Sequence, residues 1–112
     1  MGYGKEEDQR RIEMSIRILD AASCDLIEGY HFYEKQDTGL GEYFIDSLFS
    51  DIDSLQIYAG IHPVFFESYH RMLAKRFPFA VYYRIVDGDV LIYAVLDCRR
   101  NPAWTKGRLK TA

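Results

Sequence analysis

The chain has 112 residues, 48% of them hydrophobic and 28% charged, which is the composition of a single globular domain able to bury its own core. No run approaches the roughly 20 apolar residues of a membrane span, and the polar opening MGYGKEEDQRR holds no apolar leader core, so a cytoplasmic chain without membrane attachment is expected. Net charge is −3, yet residues 71–112 carry nine Lys or Arg against three acids, so a cationic surface for an acidic partner is possible despite the acidic balance.

Residues 1–11 read as a flexible N-terminal extension. Ile12, Met14, Ile16 and Ile18 alternate with Glu13, Ser15 and Arg17, the pattern of a half-buried strand. Asp20 is expected to cap a helix in which Leu26, Ile27, Tyr30, Phe32 and Tyr33 recur at helical spacing as far as Gln36. Asp37-Thr38-Gly39 ends it. A second helix is expected from Leu40 to Tyr58. Its apolar stripe is Phe44, Leu48, Ile52 and Leu55, flanked by Ile45 and Phe49, with Asp46, Asp51 and Asp53 on the outer face. The short connection makes the two a helical hairpin.

Gly60 and Pro63 mark a loop, with His62 in it as a plain turn residue. Val64 to Ala74 reads as one strand of irregular alternation. Phe77-Pro78 turns the chain into FAVYYRIVDGDVLIYAVLDC, residues 79–98. Asp87-Gly88 between two β-rich runs signals a two-residue hairpin turn. That turn pairs Val86 with Asp89, Ile85 with Val90 and Tyr83 with Ile92. Continued unbroken, the register puts Phe79, Val81, Tyr83, Ile85, Val90, Ile92, Ala94 and Leu96 on a core face. Ala80, Tyr82, Arg84, Leu91, Tyr93, Val95 and Asp97 form the other, with Tyr82 directly opposite Tyr93. Asn101-Pro102 ends the strand. The remainder, with Trp104 and the basic tail 106–112, is expected to form one helical turn or an arm. The order is β-α-α-β-β-β: an α+β domain with a helical hairpin on one face of a small, mainly antiparallel sheet, and a solvated, ringed and cationic second face.

Cys24 and Cys98 lie far apart and make no metal-ligand spacing, so free thiols are expected. No phosphate loop, zinc motif, Ser-His-Asp set or dinucleotide fingerprint is present, and neither cofactor nor metal is expected.

Four segments resemble the RelE/ParE superfamily, the toxin halves of bacterial type II toxin–antitoxin modules. Ala22-Ser23-Cys24-Asp25-Leu26 is similar to an A-x-x-D-L helix start. Phe32-Tyr33-Glu34 with Gly39-Leu40-Gly41 is similar to an F-Y-E…G-L-G link. Phe77-Pro78-Phe79 through Tyr82-Tyr83-Arg84 resembles an F-P-Y-x-x-x-Y strand, and Arg100-Asn101-Pro102 an R-x-P strand end. The resemblance covers about residues 12–105. It implies a small toxin neutralised by a cognate antitoxin, with either DNA gyrase (ParE-like) or messenger RNA in the ribosome (RelE-like) as target.

The nuclease reading needs a base and cations around a pentacoordinate phosphate. Arg71, Lys75, Arg76, Arg84 and Arg99 are candidate phosphate ligands, Glu67 or His70 candidate bases, and Tyr82 and Tyr93 a stacking floor. Glu67, Arg71, Arg84 and Arg99 are thus the candidate catalytic set. Against it, the middle strand 79–86 offers only Arg84, the C-terminal strand offers Asp97, Arg99 and Arg100 with no His or Tyr near them, and a hydrogen-bonded structural role suits His70 better. The competing reading is protein binding through Lys75, Arg76, Tyr82, Arg84, Tyr93, Arg99, Arg100 and Trp104, since Tyr, Arg and Trp dominate interface hot spots. The ParE-like binding toxin is the favoured expectation. The alternatives are a RelE-like ribonuclease and a degenerate, non-toxic binding module.

Overall fold

A computed structural model describes residues 14–111 of the chain. Its elements are β1 (Ser15–Ile18), α1 (Asp20–Glu34), α2 (Leu40–Asp53), a one-turn α3 (Leu55–Tyr58), β2 (Val64–Phe66), β3 (Tyr69–Leu73), β4 (Phe79–Val86), β5 (Asp89–Asp97) and α4 (Pro102–Lys110). The strands form one sheet in the order β1-β5-β4-β3-β2, with β1 parallel to β5 and every other pairing antiparallel. The α+β class and the hairpin-on-sheet architecture expected from the sequence are therefore present. Ile12 and the 1–11 extension lie outside the described residues.

The helical hairpin is made by its link. Glu34, the last residue of α1, accepts the Gly39 N–H at 3.1 Å and the Gly41 N–H at 2.9 Å. It thereby satisfies donors that the first turn of α2 leaves unpaired. Gly39 adopts φ 90°, which only glycine enters without strain. A methyl group at Gly41 would stand 2.6 Å from the Tyr30 carbonyl oxygen, so the helices approach too closely for any other residue. Asp20 does not cap α1. Leu19 holds that position with no side-chain bond, and Asp20 is the first helical residue, where its charge suits the helix dipole. The expected single helix 40–58 breaks at Ser54, whose hydroxyl donates to the Asp51 carbonyl at 2.6 Å and competes with the regular ladder.

Phe44, Leu48, Ile52 and Leu55 are buried as their spacing indicates. They pack with Val81, Tyr83, Val90, Ile92 and Val95 between hairpin and sheet. Asp51, expected on the outer face, is only 5% exposed. Its carboxylate accepts the Lys75 N–H at 3.0 Å, tying α2 to the β3–β4 turn.

Three β expectations change. The segment 64–74 is a tight hairpin of two strands, turning at Glu67, which takes φ 50°. The 79–97 hairpin keeps its expected register from the turn to Tyr83–Ile92, with Asp87 and Gly88 both at positive φ. There a bulge inserts Tyr93, so Tyr82 pairs with Ala94 and Val81 with Val95. Beyond it the faces exchange. Val95 joins the hairpin-side core, and Ala94 and Leu96 move to the opposite side.

That opposite side is not the open, solvated face the alternation suggests. Ala80, Tyr82, Ala94, Leu96, Tyr69 and Leu109 form a second core, with Phe65, Phe66 and Tyr93 against it. Tyr82 is 2% exposed. The cover is α4, a nine-residue helix where one turn or an arm was expected. Asn101 accepts the Ala103 N–H at 2.7 Å, Pro102 occupies the first turn, and Arg108 and Lys110 close the last.

Candidate functional site

Two recesses and two polar clusters, one at Asp25 and one at Tyr83, stand out among the described residues. The larger recess, about 880 Å³, lies between α1 and α4. Its walls include Phe32, Phe79, Arg100 and Trp104. Phe32 is 58% exposed, and the Arg100 guanidinium stacks 3.9 Å from the Trp104 ring centre. At its floor Asp25 receives two bonds from Arg108, at 2.9 and 2.8 Å, and the backbone N–H of Val95 at 3.0 Å. This one carboxylate ties α1, β5 and α4 together.

The smaller recess, about 370 Å³, lies at the β2 end of the sheet and is lined by His62, Pro63, Val64, Phe65, Arg71 and Leu73. Beside it Tyr83, fully buried, accepts the Gly60 N–H at 3.0 Å and bonds His62 Nδ1 at 2.6 Å. His70 lies stacked on the Tyr83 ring at 5.0 Å, and its Nδ1 donates to the His62 carbonyl at 2.8 Å. Burial, then the neighbouring His70, lowers the His62 pKa. Burial raises that of Tyr83. Because the Tyr83 hydroxyl already accepts from Gly60, it is assigned as donating its hydrogen bond to His62 Nδ1. His62 is a structural residue of the loop, more than a turn former.

Among the described residues, no hydrogen bond or ion pair joins the candidate catalytic residues to one another. Glu67 is exposed at the tip of the β2–β3 hairpin. Arg99 is bound by Asp97 through two side-chain bonds at 3.0 and 2.7 Å, which holds the Asp97 carboxyl below its ordinary range. Arg84 lies half-buried with the Tyr69 and Tyr93 ring centres each 5.8 Å away, and it donates to the Tyr93 hydroxyl at 3.5 Å. Arg71 donates to the Tyr82 hydroxyl at 3.2 Å and the Cys98 carbonyl at 3.3 Å.

Among the binding candidates, Lys75 and Arg76 are exposed in the β3–β4 turn, and Arg99, Arg100 and Trp104 border the larger recess. Tyr82 is buried by the second core, so it offers no stacking surface. Tyr82 and Tyr93 are not opposed, because the bulge separates them. Sequence reasoning missed Asp25, Arg108, Phe65 and Lys106 as site-forming residues. Only the Asn101-Pro102 helix start signalled that α4 would bring Lys106 and Arg108 back to the sheet.

Among the described residues no helix is long and apolar enough to cross a membrane, and no group of three His, Cys, Asp or Glu could hold a metal ion.

No protein-family model and no curated protein matches the sequence. Among solved structures, the chain is similar to one from the chromosomal ParDE TA system of P. aeruginosa, with a TM-score of 0.66 and 18% identity. The match covers 78% of this chain and 97% of that one. The protein thus shares the fold of that ParDE-system chain. At this identity the likeness carries the architecture, and the chemistry must be argued from the residues.

Proposed function

We propose that the chain is the toxin of a type II toxin–antitoxin module, ParE-like in mechanism. It acts in the bacterial cytoplasm by binding and inhibiting a macromolecular target such as DNA gyrase, arrests growth in the manner of a plasmid-stabilisation element, and is neutralised by a cognate antitoxin. The observation that carries the binding reading over the nuclease reading is the state of the candidate phosphate ligands. Arg99 is taken up by the Asp97 carboxylate, and neither Arg71 nor Arg84 is bonded to a candidate base. The candidate base Glu67 is exposed on a hairpin tip and bonds none of these cations. In-line RNA cleavage needs these groups around one phosphate.

The recess between α1 and α4 supports the binding reading, because its exposed Phe32 and Trp104 beside Arg100 are hot-spot residue types in a concave setting. Induction in a bacterial host tests toxicity. Purified protein should then block gyrase supercoiling and leave translated messenger RNA intact. Cleaved messenger with normal supercoiling would establish the RelE-like alternative, and normal growth at good expression the degenerate binding module.

A further inference from the structure

The recess at the β2 end combines an apolar wall with positive charge that no described acid neutralises. Arg71 is half-buried at its floor. Its two hydrogen-bond acceptors, the Tyr82 hydroxyl and the Cys98 carbonyl, are both neutral, so the guanidinium keeps its full charge. Phe65 holds it on one side, with the Arg71 Cζ 5.4 Å from the ring centre, and Lys106 Nζ approaches the same ring at 5.8 Å. Lys106 also lies 5.9 Å from Phe66, and Lys110 lies 6.0 Å from that ring. Three cations thus gather on two adjacent rings of one strand. Among the described residues none of the three forms an ion pair, whereas Arg17, Arg99 and Arg108 each do.

A guanidinium braced this way is preorganised for an oxyanion, because its stem and one edge are already fixed. The walls select among oxyanions. Val64, Pro63 and Leu73 are apolar, Leu73 being 58% exposed. They suit an aliphatic side chain better than a sugar–phosphate backbone. β2 is also the last strand of the sheet, so its outer side has no strand partner among the described residues. An extended segment can lie along it and present alternate side chains to the groove.

We propose that the Arg71 recess binds an extended segment of a protein partner that places a carboxylate on Arg71 and Lys106 and an adjacent aliphatic side chain between Val64 and Leu73. This rests on the antitoxin-binding toxin reading only for the partner's identity. The toxin reading fails or stands on growth arrest, and the recess on peptide binding, so the two can fail separately.

The test is fluorescence anisotropy of the full chain with a labelled, end-blocked peptide of alternating Leu and Glu. Controls are its Leu-Gln counterpart and an oligouridylate of equal length. The Leu-Glu peptide should bind at least about tenfold tighter than the Leu-Gln peptide, the size expected of one charge-assisted hydrogen-bonding site. Arg71→Met should lose about tenfold in Leu-Glu affinity. Leu73→Glu changes an exposed wall residue, so it keeps the test valid if Arg71→Met perturbs folding. It should lose a similar factor, while Lys35→Met, at an exposed lysine beyond α1, should bind as wild type. No binding, equal losses in Lys35→Met, or tighter oligouridylate binding that Arg71→Met removes would each overturn the proposal.

Discussion

The two faces of the sheet solve the same burial problem by different means. Toward the hairpin, Phe44, Leu48, Ile52 and Leu55 meet Val81, Ile92 and Val95 in an apolar layer that also takes in the ring cluster Tyr33–Phe44–Phe77–Phe79. Such a layer is stabilised mainly by area removed from water and by close packing. Toward α4 the cover is a polar helix with one deeply buried apolar anchor, Leu109, held by the Tyr69 hydroxyl and by the Asp25–Arg108 pair. Tyrosines and cations do there what aliphatics do on the first face. The first face is built to stay shut, and the second combines cover with charge near solvent.

The contrast is most sharply tested in the first core. Phe44→Ala should cost about 3–5 kcal/mol, the usual range for deleting a buried ring, and lower the denaturation midpoint of the whole domain. Gly41→Ala should also destabilise the domain by about 2 kcal/mol, since the added carbon meets the Tyr30 carbonyl oxygen as well as the Tyr30 ring and Glu34 Cβ. Arg108→Met should come next, at about 2 kcal/mol, because it leaves the buried Asp25 without its partner. Amide exchange should show that loss first in α4 and β5. If Arg108→Met instead loosens α1 and α2 equally, the two faces form one cooperative unit and the contrast fails.

Tyr82→Phe is a finer probe, removing only the hydroxyl that accepts from Arg71 Nε. About 1 kcal/mol is expected, and unchanged urea stability would show that water replaces it. The smallest effect is that of pH. The His62 pKa is lowered in the fold, by burial and then by His70, so the unfolded chain binds more protons below about pH 6.5. The stability contributed by His62 is therefore present above that pH and lost as pH falls from it toward the lower folded value. Urea midpoints at pH 7.5 and 5.5 should differ more in wild type than in His62→Asn.

Most of the first face was legible in the sequence, because helical periodicity and the Asp-Gly turn are short-range signals. Phe44, Leu48, Ile52 and Leu55 are core at the positions their spacing marks, and the hairpin register near the turn follows from turn chemistry alone. The second face was not legible, for two physical reasons. The bulge at Tyr93 depends on packing and not on a Gly or Pro that would mark it, and it reverses every side chain beyond it. The helix α4 has almost no apolar periodicity and a glycine within it, so its packing is set by Leu109 and by an ion pair to a residue 83 positions earlier. The candidate site shared that fate. Arg71 and Arg84 were identified by type, but the Arg84 contact with Tyr93 follows from the register that the bulge altered, and the Arg71 contact with Tyr82 from the β3–β4 pairing.

The bond from the Val95 N–H to Asp25 has one more consequence. β1 accompanies β5 only as far as Ile18 beside Ile92, so past that point β5 has no strand beside it among the described residues, and α1 covers that flank. A free donor on such a flank invites a neighbouring molecule to add its own strand, the first step toward aggregation. Asp25 both occupies that donor and sets a charge where an incoming backbone would have to lie. An Asp25→Ala chain would therefore be prone to self-association as well as less stable, with oligomers growing as concentration rises.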